Sequence, residues 1–529
     1  MKKLTYILMT AAALTAFNAC SDNALDRVNE DVNHPKDADA KFIFTDVCLA
    51  SGFTVTGGDF NTYLGVAVEH WGGCHNQFFK ADQRTGEWFS SSCFNNTWIG
   101  IYKAIGDARK VVEKTEKGSG TVDDGNATLN AAAKILLAYN SAILTDLFGD
   151  TPYSQACNYD QYKTPALDKQ EDIYKTIMKL LDEAIEALSA DGVSPNLGTG
   201  ANDLIYNGSS EKWLKFAHGL RARLTLETIL KAADRDAAYT QILSDIDASF
   251  TSAADQAQIA QYDGDSQINP LFGLSYSREA IAASESLFNK LADRNDPRMY
   301  MLYCWNWSPV ITDPLDPEEG FYPVPCGQGE EVQWEYAENT FFYSVDSPTH
   351  LLSYAELQFM KAEVLARKGS YTEARAALKN GLAEAFDNVN AMVQSAQKFQ
   401  DAYGYGVYGP FYGGDYLTDS DVNNYVTTVF DPIADADLLA EIMVQKYLFF
   451  QNANGGSVQA YNDVRRLMAE GNGAENYIVL ENPKNAEGLF PLRCGYGSSD
   501  TTTNPNVKAA FGDGKYVFTE NVWWAGGTR

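Results

Sequence analysis

Positive charge is scarce in this chain: 41 lysines and arginines stand against 70 acids in 529 residues, for a formal net charge of −29. A surface of that sign repels a phosphate backbone and an anionic bilayer alike, which argues against nucleic acid as a partner and favours neutral or cationic small ligands. Histidine is scarcer still, with only His34, His70, His75, His218 and His350. Neither a His-Glu-x-x-His helix nor a Gly-x-Ser-x-Gly elbow occurs, so two familiar hydrolase signatures are missing. Among the cysteines after Cys20 (Cys48, Cys74, Cys93, Cys157, Cys304, Cys326 and Cys494) no Cys-x-x-Cys occurs. Neither a metal knuckle nor a redox dithiol is signalled, and the odd count leaves at least one thiol unpaired. A disulfide or two remains open, but a chain this long can bury enough surface without one. His70 and His75 bracket Cys74, a spacing that fits no standard zinc pattern. Asp419, Asp421 and Asn423 imitate the opening of an EF-hand loop, yet Asn424 stands where glycine is demanded and Phe430 where the bidentate glutamate belongs. No metal and no cofactor is expected.

What is present begins with MKKLTYILMTAAALTAFNAC. Lys2 and Lys3 precede an apolar stretch from Leu4 to Phe17 that is too short for an ordinary membrane span, and small residues then stop at Cys20. The layout resembles a bacterial lipoprotein signal over 1–19, with Cys20 as the acylated first residue of the mature chain; the alternative is an ordinary secretory signal cut near Ala19. Acyl chains each bury CH₂ groups at roughly 0.8 kcal/mol apiece, so lipidated Cys20 would be firmly anchored. Loss of Lys2 and Lys3 with the leader takes the formal charge from −29 to −31. The polar stretch 20–40 has no periodicity and reads as a tether. Beyond the leader no apolar run is long enough to cross a bilayer.

From Trp98 onward the apolar residues recur at spacings of three and four. Trp98, Ile101, Ile105, Ala108 and Val111 mark one helix, and Ala131 to Phe148 a second that stops at Gly149-Asp150-Thr151-Pro152. Further pairs are expected at 168–233, 349–386 and 438–470. Paired helices of roughly 15 residues, with small residues such as Ala355, Ala362, Ala366, Ala374 and Ala377 where they meet, are what tetratricopeptide-like units look like. The expectation is an all-α domain over 41–529, a tetratricopeptide-like helix-pair scaffold with an irregular, loop-rich second lobe. That lobe is expected mainly at 250–348 and 386–437, where the insertions are too long to be plain connections.

The most unusual of these stretches is YGYGVYGPFYGGDY, Tyr403 to Tyr416. Tyrosine presents a large rigid face and a hydroxyl at little entropic cost, and glycine lets a backbone approach a ligand closely. Tyr405, Tyr408, Phe411 and Tyr412 are therefore candidate ligand platforms, alongside Trp305 and Trp307 in YCWNWSP, Trp71 in EHWGG and Trp88 in GEWFS. Asn76, Asn306 and Asp415 are their polar neighbours. The bland alternative is that the rings all face inward and form a small core for their loop. Trp98, Trp213, Trp523 and Trp524 read as anchors of helices or of the last segment.

Six phrases occur in order: AILTDLFGDTPYSQA at 142–156, EKWLKFAHGLRARL at 211–224, LADRNDPRM at 291–299, HLLSYAELQFMKAEVLAR at 350–367, IMVQKYLFF at 442–450 and VQAYNDVRR at 458–466. Together they resemble the SusD/RagB family of outer-membrane nutrient-binding lipoproteins. The resemblance implies four tetratricopeptide-like pairs supporting an irregular lobe, and lipid anchoring on the cell-surface face of the outer membrane. It further implies work as a lid on a SusC-like TonB-dependent transporter that imports glycans or, in some members, peptides. Readings from other classes are a secreted glycoside hydrolase and a structural surface protein. A hydrolase needs two acids flanking a cleft at roughly 5 or 6.5–9.5 Å, whereas Glu356 and Glu363, two turns apart on one helix face, stand roughly 10 Å apart. These glutamates, with Arg465 and Arg466, are expected to tie helices together instead.

Overall fold

Helix α1 (Ala40–Leu49) buries Ala40, Phe44, Val47 and Cys48, runs without a break into a π-helical turn at Ala50–Thr56, and is followed by α2 (Asp59–Ala67). The structure is a computed structural model and describes residues 38–304, 322–333, 335–403 and 416–529, apart from the side chains of Gln400 and Tyr403. Helices α3 (Asn95–Thr115) and α4 (Ala127–Phe148) form the first pair, and α5 (Gln170–Leu188), α6 (Ser210–Glu227) and α7 (Arg235–Asp247) continue the layer. The second half of the scaffold is α8 (Tyr354–Arg367) packed on α9 (Tyr371–Tyr403), then α10 (Asp435–Phe450) and α11 (Ser457–Glu470). Side-chain caps fix several starts: Asn126 accepts from the Leu129 N–H, Ser209 from Lys212, Asp234 from Ala237 and Ser353 from Glu356. By length and composition α4 could cross a membrane, but it is sheathed by α3 and α5 and its apolar residues form the centre of the core.

Two features tie the layers together. Glu363, on α8 and fully buried, receives Arg466 of α11 in a bidentate pair at 2.6 and 2.9 Å, accepts from Arg367 Nε at 2.9 Å, and lies 3.8 Å from Lys446 of α10. Asp463 answers Lys446 and Arg466 at 2.8 Å each, and Glu470 answers Arg367 at 2.7 Å, so three acids and three bases neutralise one another. At the preceding position of the same doublet in α11, Arg465 donates to the carbonyls of Asp146 and Leu492 and stacks on Tyr461 and Trp524. Glu356 meets the buried Arg223 at 2.6 Å through both carboxylate oxygens. The second feature is the docking of the last segment on α4 and α5: Trp524 Nε1 donates to Asp146 Oδ1 at 2.9 Å, its N–H reaches Gln170 Oε1, and Arg493 Nη1 holds the Arg529 carbonyl at 3.0 Å.

Between α7 and α8 the backbone is mostly irregular, held by short antiparallel pairings. Trp71–Gly73 pairs with Ile281–Ala283, Ala257–Ile259 with Thr349–Leu352, and Tyr303–Cys304 with Glu338–Asn339. The sequence placed the start of the second irregular stretch at 386, but α9 continues to Tyr403 because Val389, Met392, Val393, Ala396 and Phe399 keep its buried stripe going. The acids of the EF-hand-like phrase have a local use: Thr418 and Asp421 form a capping box at the start of the helix Asp419–Tyr425. All seven described cysteines are free thiols, six of them buried.

Candidate functional site

Where α1 gives way to the π-helical turn, Phe53 is left 43% exposed although it sits in the middle of a continuous helical rod. The rod ends at Gly57-Gly58, and the crowding there demands glycine: a Cβ on Gly58 would stand 2.2 Å from the Thr54 carbonyl oxygen, and one on Gly57 3.0 Å from Pro270. The second residue of contact identifies the facing wall. Helix Pro270–Arg278 starts there, capped by Asn269, whose side chain accepts from the Leu271 and Phe272 N–H groups. Asn96 and Thr97, at the start of α3, supply the third wall. Together they enclose an open cleft of about 380 Å³ lined by Phe53, Thr54, Gly57, Gly58, Asp59, Thr62, Asn96, Thr97, Ile268, Asn269, Pro270, Gly273 and Leu274.

The cleft has one acid. Burial raises the Asp59 carboxyl above the usual carboxylate range, against the opposing pull of the Arg278 guanidinium and a hydrogen bond from Thr97. A lone carboxylate with no second acid and no histidine, serine or cysteine among the lining residues supplies no hydrolytic constellation. It does supply what a polyhydroxylated ligand needs: an aromatic face at Phe53, apolar flanks at Ile268 and Leu274, an amide at Asn96, and an acceptor at Asp59. One turn beyond Gly273, Tyr276 is 45% exposed and lies stacked on Phe272 at 5.4 Å, with Phe399 edge-on to both. It extends the aromatic surface along the same helix.

Of the residues singled out from sequence, Trp71 and Trp88 are corrected by the structure: neither is exposed to any extent. Trp71 fills the space left by Gly65, where a Cβ would fall 2.1 Å from the indole, and donates Nε1 to the Thr62 carbonyl at 2.9 Å. Trp88 donates Nε1 to the Ala81 carbonyl at 2.7 Å and packs on Tyr63 and Phe94. With both faces covered and both N–H groups satisfied, they are core residues. Asn76 is exposed at the start of the helix Asn76–Asp82, in the left-handed region at φ 52°, and its N–H donates to Glu331; it does not line the cleft. Trp305, Asn306, Trp307, Tyr405, Tyr408, Phe411, Tyr412, Asp415 and Cys20 lie outside the described residues. Phe53 and Asp59 went unnoticed in the sequence, although FTVTGGD has the same ring-and-glycine composition as the stretches that drew attention.

His70 is buried with Nδ1 3.0 Å from Ser457 Oγ and Nε2 3.1 Å from the Tyr447 carbonyl, and burial pushes its pKa down to about 3. It is a neutral core residue. Among the described residues no group of three or more His, Cys, Asp or Glu side chains is placed to hold a metal ion.

Residues 76–468 match a SusD-like family model described as starch-binding and associating with the outer membrane. Among solved structures, a SusD/RagB family protein from Bacteroides thetaiotaomicron VPI-5482 is 37% identical, with a TM-score of 0.85 over 93% of this chain and 100% of that one. A chitin-binding protein superposes with a TM-score of 0.66 at 23% identity, covering 92% of this chain and 100% of its own. A SusD homolog from Bacteroides fragilis NCTC 9343 does so with a TM-score of 0.68 at 18% identity, over 92% and 99%. The latter two likenesses speak to the fold. No curated protein matches the chain.

Proposed function

This chain belongs to the SusD-like family of non-catalytic, outer-membrane nutrient-binding proteins, and we propose that it holds a neutral oligosaccharide against Phe53 and delivers it to a SusC-like TonB-dependent transporter. The observation that carries the ligand reading is the cleft itself, in which one half-exposed ring, one acid and a few polar groups converge on about 380 Å³. The family description as starch-binding and the chitin-binding fold neighbour point to glycans as well. A peptide is the second reading, because an aromatic face and a carboxylate would also serve a peptide backbone.

An array of neutral glycans and peptides, offered to the purified mature domain, separates the two. Ring stacking is worth about 1 kcal/mol, so oligomers should bind in roughly the micromolar to millimolar range, longer ones more tightly. Phe53→Ala should weaken glycan binding about fivefold with only a small fall in melting temperature, since the ring is half-exposed. Parent-like glycan binding by that variant would move the site away from this cleft, and binding of peptides alone would replace the glycan reading.

Anchoring follows from the leader. Cys20→Ala should shift the protein from the membrane to the soluble fraction without altering its melting curve. A variant that stays on the membrane, with a wild type carrying no acyl group by mass spectrometry, would remove the lipoprotein reading. A lid over a transporter requires an interface beyond roughly 1,200 Å². Gentle solubilisation of outer membranes should therefore yield a barrel protein in about equal amount; a lone species in several detergents would count against delivery.

A further inference from the structure

Where α4, α5, α6 and α11 converge under the last segment, two buried acids face each other, Asp146 and Glu227. Their carboxyls are in side-chain hydrogen-bond contact. Two carboxylates cannot make such a bond, because neither has a donor once ionised, so one proton lies between them. The Tyr174 hydroxyl reaches both, donating to Asp146 Oδ1 and standing 3.3 Å from Glu227 Oε2. Trp524 Nε1 adds a second donor to Asp146 Oδ1 at 2.9 Å, whereas Glu227 has only the long Tyr174 contact and Asn462 Nδ2 at 3.2 Å. Donors stabilise an ionised carboxyl, so Asp146 carries the charge and Glu227 the proton.

The surrounding charges agree. Arg465 of α11 lies against Trp524 and donates to the Asp146 carbonyl, and Arg223 of α6 is paired with Glu356 of α8. Two cations against Asp146, Glu227 and Glu356 leave a surplus of one negative charge in a sealed pocket, and a single proton removes it. Further out, Glu520 and Arg529 of the last segment pair with each other at 2.5 Å, and Lys231 is exposed over the Trp523 ring. Burial raises both carboxyls: Asp146 to about 6, against the pull of Tyr174 and Arg465, and Glu227 well above its usual range, where the charge of Asp146 outweighs the pull of Arg223. We propose that this pair is a proton-operated latch, independent of the Phe53 cleft: with the shared proton bound, Trp524 stays docked and holds residues 522–529 on the helices, and when the proton leaves, that segment undocks. Loss of the proton puts a second negative charge into a pocket walled by helices on every side but that of Trp524. Opening a terminal segment admits water without disrupting a helix, so it is the cheapest relief. The sign follows from linkage: the folded pair keeps its proton to a higher pH than the unfolded chain does, so docking is favoured at low pH and lost as pH rises.

The test is hydrogen exchange read by mass spectrometry on the intact mature chain, between about pH 6 and 9. The reporting peptide is 520–529, where the Trp524 N–H donates to Gln170 Oε1 and the Ala525 and Gly527 N–H groups donate to the Val522 carbonyl. After correction for the intrinsic rate, protection there should fall by about tenfold per pH unit once the pair begins to lose its proton, one proton for each opening. Glu227→Gln keeps the shape of the protonated acid and donates to Asp146 permanently. It should hold the protection of 520–529 constant across the range, even though Asp82 and Glu338 still titrate. At neutral pH the infrared difference between parent and variant should contain the C=O stretch of one protonated carboxylic acid. A parent whose 520–529 protection is flat in pH would overturn the latch without recourse to any variant. So would a Glu227→Gln protein that loses protection in alkali as the parent does, or a difference spectrum without the carboxylic-acid band.

Discussion

Glu363→Gln is expected to lower the stability of the protein by about 3–5 kcal/mol, the usual cost of breaking a buried ion pair from one side. The reason is charge arithmetic within a closed group. Glu363, Asp463 and Glu470 face Arg466, Arg367 and Lys446, so loss of one acid strands a positive charge where Arg466 is 1% exposed and Glu363 itself is buried completely. Unfolding entropy of about 2 cal/mol/K per residue makes each kcal/mol worth about one degree in a chain of this length, so the melting temperature should fall by about 3–5 °C. The exposed pair Lys110–Glu113, 3.2 Å apart, serves as the control, because surface pairs contribute at most about 1 kcal/mol. If Glu363→Gln melts with the parent, the network is ornamental and the helices are tied by apolar packing alone.

The second large effect concerns pH. Burial pushes Asp82 and Glu338 up to about 7 and Asp146 up to about 6. In the unfolded chain these carboxyls titrate in the ordinary range near 4, so the native state binds more protons than the unfolded one between about pH 4 and 7. Stability is therefore greatest on the acid side of that window and is lost as pH rises through the folded values. Glu363 works in the opposite sense: burial opposes its ionisation, but Arg466, Arg367 and Lys446 overcome this and hold it far below the usual range, so its contribution is full above about pH 4.5 and is lost progressively as pH falls below it. Melts across pH should peak between about 4.5 and 6 and lose on the order of a few kcal/mol by pH 8. Asp82→Asn combined with Glu338→Gln should flatten the alkaline limb; a parent whose stability rises from pH 5 to 8 would contradict these assignments.

How much of this could be read from the chain depended on whether the deciding atoms lay nearby in sequence. Helix pairs were legible because the three-and-four spacing is local, and the partners of Glu356 and Glu363 were legible in kind because a paired acid on a buried face needs a base. The continuation of α9 was missed because polar residues from 387 onward disguise a stripe of only five apolar positions. Trp71 and Trp88 could not be told from ligand platforms by composition: the fact that seals Trp71 inside is the absence of a Cβ at Gly65. The cleft was illegible for a different reason. Its walls come from 53–62, 96–97 and 268–274, and nothing within any one of these segments says that the others will face it.

The docking of Trp524 on Asp146 places the closing piece of the first helix pairs nearly four hundred residues downstream. A ribosome or an export channel delivers those ends in sequence, so α4 and α5 emerge with the Asp146 side chain, the Gln170 side chain and the Asp146 carbonyl that Arg465 will meet all waiting for atoms that do not yet exist outside. Non-local closure of this kind slows folding and lengthens the time that apolar surface stands open. The N-terminal half should thus leave the secretion machinery dependent on a holding chaperone, and the molecule becomes protease-resistant all at once when its final tryptophan arrives.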